Sequence, residues 1–166
     1  MESNRLKYRL VQDSDAEFIY ELMNTKAWFQ FIGDRGIHSP EDAVKYMKDK
    51  MHPDLDVKGF VNHVMVEKSS GALVGTCSVH DRAGVKGMDI GYAILSQFEG
   101  MGYATEGAIE MVDLAFNTYQ QTQISAITND DNWGSASVLE KIGFTHQGYV
   151  KLPNLDLDLK LYVLNK

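Results

Sequence analysis

Three features of the chain predict a mixed α/β fold. The apolar pattern changes period along its length, three strand-like runs follow one another as a meander, and the last of these passes through a glycine loop directly into a long helix. In order, "RLKYRLV" alternates and reads as a first strand. "DSDAEFIYELMN" is a helix with Asp13 or Ser14 as its cap and a stripe of Phe18, Ile19, Leu22 and Met23. "WFQFIGDRGIH" is aromatic and broken by glycines, so a loop or an interrupted helix is expected. "SPEDAVKYMKDKM" opens a second helix, with Ser39 as N-cap, Pro40 at the first helical position and Asp42 three residues after the cap. "FVNHVMVEK" and "ALVGTCSVH" form an antiparallel hairpin about "SSG", and "DRAGVKG" leads to the third strand, "MDIGYAIL". The next helix carries Ala104, Ala108, Met111, Val112, Ala115 and Phe116 at helical spacing. "TQISAIT" is a strand, "NWGSASVLEKIGF" a short helix stopped by Gly143, and "FTHQGYV" and "LDLKLYVLN" close the fold. The long helix makes one parallel crossover, whose first strand should end at a binding crevice.

The 166 residues are read as a single domain, 1–166, long enough to bury a core. A net charge of -7 argues against a general nucleic-acid binder and suits a cationic amine. The lone Cys77, in an apolar run, excludes an internal disulfide and a cysteine metal cluster; it reads as a small buried hydrophobe, and no metal is expected. "MESNRLKYRL" lacks the apolar core of a signal peptide, and no apolar run is long enough to span a membrane. A cytoplasmic protein with no membrane or nucleic-acid partner is the expectation.

"DIGYAILSQFEGMGYATEGA" carries the chemistry. Unpaired N–H groups and the macrodipole make a helix start a site for phosphate, and Gly100 and Gly102 let the main chain come close. A P-loop would need Lys and Ser or Thr where Tyr103 and Ala104 follow, and a dinucleotide fingerprint would need glycine where Thr105 stands. The alternative is a glycine turn before a packed helix.

Followed by "NDDNWGSASVLEKIGF", that stretch resembles the GNAT acetyltransferase superfamily, and within it the ribosomal-protein N-acetyltransferase (Rim-type) branch. The resemblance rests on the "IGY" strand, the "GMGYATE" loop and helix, and the spacing of Asn132, Ser135 and "VLEKIGF". It runs in order from about Arg5 to Leu164, densest from Asp89 to Phe144. It implies a GNAT fold: a mixed, mostly antiparallel central sheet flanked by helices, with a V-shaped cofactor cleft between the fourth and fifth strands. It further implies an acetyl-CoA-dependent N-acetyltransferase acting on a primary amine, either a protein N-terminal α-amine or a small amine such as a polyamine or an aminoglycoside. Carried over by position, Tyr92, Ala93 and Ile94 would run beside the pantetheine. Gly100, Met101, Gly102, Tyr103, Ala104 and Thr105 would wrap the pyrophosphate, and Asn132 would contact the pantetheine arm. Where the family's loop begins with Gln or Arg this chain has Glu99, which should point outward. The resemblance is compatible with a homodimer.

Acetyl transfer needs a neutral amine, a donor for the developing oxyanion and a proton for the leaving sulfur. A backbone N–H of "GYAI" is the oxyanion donor that the family implies, and Gly91 is expected to permit a bulge that splays this strand from the next. Asp89 is the first candidate for the base, against a solvent-facing strand residue, and His80 is the alternative. His63 and His146 read as packed or surface residues. Many relatives place a tyrosine acid where this chain has Leu139; Ser135 is what the ribosomal-protein branch offers instead, against a capping role in the helix's first turn. Glu106 reads as a structural partner of the helix dipole. Trp28, Phe29 and Phe31 would line the acceptor groove or join the core, and Asp34, Glu41, Asp42, Asp54 and Asp56 make that side acidic. The missing tyrosine and Glu99 also admit a non-catalytic acyl-CoA sensor on the same fold.

Overall fold

The computed structural model describes residues 1–51, 62–153 and 155–166. Asp54 and Asp56 of the expected acidic face lie outside them. Seven strands form one sheet in the order β1-β2-β3-β4-β5-β7-β6. They are β1 (Leu6–Leu10), β2 (Asn62–Glu67), β3 (Leu73–Asp81), β4 (Met88–Ile94), β5 (Gln123–Thr128), β6 (Thr145–Lys151) and β7 (Asp158–Asn165). Every neighbouring pair is antiparallel except β4 and β5. The expected meander is β2-β3-β4, and the single parallel crossover runs through the long helix.

The helices are α1 (Ala16–Met23), α2 (Lys26–Phe31), α3 (Pro40–Tyr46), α4 (Tyr103–Asp113) and α5 (Trp133–Lys141). The aromatic stretch read as a loop or interrupted helix holds α2, started by the Thr25 hydroxyl, which accepts from the Trp28 amide. Ser39 caps α3 as expected, accepting from the Asp42 amide, with Pro40 in the first turn. At α1 neither Asp13 nor Ser14 is the cap. The buried Asp15 holds the N-cap position without a side-chain bond to α1: it accepts from the Gln12 amide at 2.8 Å, closing the short turn before the helix, while Arg9 binds both its oxygens at 2.6 and 2.7 Å. The stop at Gly143 closes α5 through Gly143 N–H to Glu140 O and Phe144 N–H to Leu139 O, the paired bonds of a Schellman end.

The sheet is covered on both faces. On one, Met65, Cys77, Val79 and Ile90 pack under Ala108 and Met111 of α4 and Ala136 and Leu139 of α5. On the other, Val64, Ala93 and Leu95 pack under Phe18, Ile19 and Leu22 of α1 and Ala43 of α3. Cys77 is fully buried and burial pushes its thiol up, so it is the core hydrophobe expected. His63 is buried as well, and desolvation pushes its imidazole down to about 4, a packed neutral ring. His146 is exposed and packs its ring against Tyr149 and Tyr162. Among the described residues no helix is long and apolar enough to cross a membrane.

Candidate active site

The β4–β5 ladder is short. Among the described residues it consists of Met88↔Ile124 and Asp89↔Ser125, while β4 runs on to Ile94 with its full register against β3. From Ile90 onward the edge of β4 that faces β5 carries no ladder. An extended ligand can use such an edge as a strand would. This is the V-shaped cleft. Its origin differs from the expected one: Gly91 makes no bulge, since it pairs directly with Ser78 in an unbroken β3–β4 register. A Cβ at Gly91 would stand 3.2 Å from the Ser78 hydroxyl oxygen, so the glycine accommodates a close cross-strand neighbour.

At the mouth of the cleft, the chain turns through Gly100 (φ 73°) and enters α4 from Gly102 (φ 84°). Both angles are left-handed, a region that costs an L-residue about 1–2 kcal/mol. Helices α2, α3 and α5 each start under a side-chain oxygen, from Thr25, Ser39 and Asn132. Helix α4 has no side-chain cap, because its N-cap is Gly102. Its first amides are therefore available to an anion, and the exposed Gly100, Met101 and Gly102 leave the approach open. The residues present fit a pyrophosphate. Glu99 is exposed.

Alternation along β4 places the candidate residues on both faces of the sheet. Asp89, Gly91 and Ala93 share the face covered by α1 and α3, with Ser78 and His80 beside them. Tyr92 points to the opposite face, among the residues under α4 and α5. Asp89 is not solvent-facing: it is 1% exposed, and Arg82 Nε donates to both its oxygens at 3.1 and 3.2 Å. Burial pushes its carboxyl up to about 6, and the Arg82 guanidinium opposes the shift without cancelling it. His80 lies across from Asp89 in the ladder, with Nε2 2.6 Å from the Ser78 hydroxyl.

On the other face, the Tyr92 hydroxyl stands 3.0 Å from Ser135 Oγ and donates to the Ser135 carbonyl at 3.2 Å. Ser135 is not the helix cap. Asn132 is, accepting from the Ser135 amide at 3.1 Å, which leaves the Ser135 hydroxyl to the tyrosine. Burial pushes the Tyr92 phenol up to about 12, so it is neutral and a proton donor. Leu139, where many relatives would carry a tyrosine, is buried in the core. The Tyr92 hydroxyl is not among the acid candidates that the sequence offers; the resemblance assigns Tyr92 only main-chain contact with the pantetheine. Its partnership with a residue 43 positions away has no local signature.

Helix α2 lies beside the start of α5. Gln30 reaches Asp131 at 3.3 Å and its carbonyl accepts from Asn129, so α2 rests on the loop leading to Asn132. Trp28 packs against the core and Phe29 is exposed. Asp34 and Asp42 bind the amides of Gly36 and His38, so these two carboxylates shape their own loops. A groove of about 700 Å³ lies between α1 and the end of β4, lined by Glu17, Phe18, Tyr20, Glu21, Leu95 and Phe98.

A sheet that parts between two parallel strands, with a glycine-started helix at the parting, is the architecture that the motifs lead one to expect. The chain belongs to the acetyltransferase (GNAT) domain family, whose pattern matches residues 5–145. It is 25% identical over 152 residues to the uncharacterized N-acetyltransferase YoaA of Bacillus subtilis, covering 91% of this chain and 85% of that protein. Its fold is that of an acetyltransferase from Agrobacterium tumefaciens, at a TM-score of 0.83 and 20% identity, covering 100% of this chain and 94% of the other. It is also that of RimJ from Mycobacterium smegmatis, solved in complex with a CoA disulfide, at 0.80 and 19% over 98% and 86% of the two chains. The enzyme is an acetyltransferase, and Rim-type structures are among its structural neighbours.

Proposed function

We propose that the protein transfers acetyl directly from acetyl-CoA to a primary amine, a protein N-terminal α-amine or a small cationic amine, within a ternary complex. The observation that carries this reading is the uncapped start of α4 at Gly102, placed where β4 and β5 part. Acetyl-CoA supplies an activated acetyl thioester. The amides from Met101 to Thr105 hold its pyrophosphate, the free edge of β4 from Tyr92 to Ile94 binds the pantetheine amides, and Asn132 closes the far wall. A β4 amide facing the cleft polarises the acyl carbonyl.

Asp89 accepts the proton of the incoming ammonium, entering from the face covered by α1 and α3. With its carboxyl raised to about 6 it is largely ionised at neutral pH, yet basic enough to act as general base. His80, beside it, is the alternative proton acceptor. Ser135, backed by the Tyr92 hydroxyl, holds a proton for the departing sulfur on the opposite face. Glu17 and Glu21, on the wall of the α1 groove, favour a cationic acceptor.

Thiol release from acetyl-CoA, measured with polyamines, aminoglycosides and basic peptides, tests the reading and names the acceptor class; the melting temperature is followed in parallel. Stabilisation by acetyl-CoA follows from mass action on the folded state. A melting shift without turnover for any acceptor would instead favour an acyl-CoA sensor. Asp89→Asn should cut kcat by roughly 10²–10⁴-fold and remove the activity limb that rises through about pH 6. Unchanged kcat and an unchanged profile would transfer the base to His80. Stability gives an independent check. Because folding raises this carboxyl, the wild type loses stability as pH rises from about 4 through about 6, and Asp89→Asn should lose that dependence.

A further inference from the structure

Helix α4 has no side-chain cap, so the shape of its glycine loop has to be held from elsewhere. The holding group comes from the other end of the chain. Residues 1–5 form a hook before β1: the Ser3 amide donates to Leu6 O at 2.9 Å, the Lys68 amide to Arg5 O at 2.9 Å, and Lys68 Nζ to Ser3 O at 2.7 Å. From this anchored backbone Arg5 extends over the first turn of α4. Its Nη1 donates to the Met101 carbonyl at 2.8 Å and its Nε to Glu106 Oε2 at 2.8 Å, while its guanidinium carbon lies 4.5 Å from the centre of the Tyr103 ring. Its Nη2 is 3.4 Å from where a Cβ on Gly102 would stand.

Glu106 is in turn fully engaged. Its Oε1 accepts from Ser3 Oγ at 2.6 Å and from the Arg5 amide at 2.7 Å, and its side chain is 14% exposed. Tyr103 is buried, edge-on to Phe98, and donates its hydroxyl to Glu67. One side chain thus grips the loop carbonyl at 101, the ring at 103 and the carboxylate at 106. A guanidinium does this because its donors form a rigid planar fork and its face stacks on an aromatic ring.

We propose that Arg5 is a positioning residue for donor binding: it fixes the loop at residues 100–102 in the shape that presents the α4 amides to the pyrophosphate. This rests on the acetyl-CoA reading above. The Met101 carbonyl is a loop oxygen that would repel a phosphate, and its bond to Arg5 offsets that partial charge. The same guanidinium brings a full positive charge to a loop that begins with an acidic residue, Glu99. Glu106 and Ser3 hold the guanidinium in register, which gives Glu106 a task beyond favouring the helix dipole.

The test compares two acetyl donors, acetyl-CoA and acetyl-pantetheine, which share the thioester and differ in the nucleotide and its pyrophosphate. In Arg5→Gln, the KM for acetyl-CoA should rise about tenfold, the loss of a charge-assisted contact, with the effect falling on KM rather than kcat. The KM for acetyl-pantetheine should stay within twofold. Glu106→Gln, which frees the guanidinium, should move acetyl-CoA in the same direction. Where Arg5→Gln fails to fold, Arg5→Lys keeps the charge but loses the fork, and the same two donors decide. An unchanged acetyl-CoA KM in a folded variant overturns the proposal, as does an equal loss with both donors, which a merely structural staple would produce. If the wild type itself uses the two donors equally well, the pyrophosphate reading of the loop fails and takes the proposal with it; loss of discrimination only in the variants is the result expected.

Discussion

Helices α4 and α5 begin on either side of the same cleft, and they begin in opposite ways. At α5 the Asn132 side chain accepts from the Ser135 amide, so the first turn satisfies one of its own free N–H groups. At α4 the N-cap position is Gly102, in a left-handed conformation with no side chain to offer. A closed N-terminus gains stability from its cap, about 1 kcal/mol in typical cases. An open one forgoes that contribution and keeps its amides for an anion. The two ends also differ in their supports. The cap of α5 comes from Asn132, three positions before the amide it binds, whereas the loop that starts α4 is gripped by Arg5, about a hundred positions away. A helix terminus that serves binding gives up local stabilisation, and distant contacts make up for it.

The contrast can be broken most severely at Gly102. Gly102→Val forces a β-branched residue to φ 84°, which strains the loop, and brings its Cβ into contact with Arg5 Nη2. Acetyl-CoA affinity should fall roughly a hundredfold by calorimetry, of the order that the left-handed strain and a displaced amide cradle imply. Unchanged affinity would mean that the open terminus of α4 binds nothing. At α5 the expected loss is catalytic. Ser135→Ala should lower kcat about a hundredfold, the low end of what a proton donor contributes, with the acetyl-CoA dissociation constant unaltered. Turnover equal to the wild type would leave that hydroxyl as a tyrosine partner alone.

Asn132→Ala sharpens the comparison from the stability side. It should cost about 1 kcal/mol in denaturant unfolding through the lost cap, and it should also weaken donor binding. A stability loss with full binding would confine Asn132 to its capping role. The smallest effect is expected at Gly100→Ala. Its φ of 73° carries strain, but a Cβ there meets nothing within 4 Å. The change should therefore cost about 1 kcal/mol of stability and shift acetyl-CoA affinity by less than Gly102→Val does, as parallel titrations would show.

The elements of this fold were legible because their signals are local. Period two marked the strands, the Ser39-Pro40 start marked α3, and Gly143 marked the end of α5, each within a few residues of where it acts. The glycine loop was legible for the same reason, since a left-handed N-cap excludes nearly every other residue type. Some local readings failed where two neighbours could do the same job. Asp15 rather than Asp13 or Ser14 organises the start of α1, because only Asp15 meets Arg9 from the adjoining strand. At Gly91 the sequence suggests a bulge, and the structure has a close cross-strand contact with Ser78, a distinction that depends on the register of β3.

By itself, then, the sequence determined the order of strands and helices, the glycine-started helix and the family to which the chain belongs. Only the tertiary structure decided the environments. It buried Asp89 against Arg82 and raised its carboxyl, joined Tyr92 to Ser135 across the cleft, and brought Arg5, from the segment before the first strand, to the start of α4. Conformational preference is written into each residue and its near neighbours, and can be read along the chain. Proton affinity and charge pairing depend on desolvation and on groups a few ångströms away in space, which the chain brings together only when it folds.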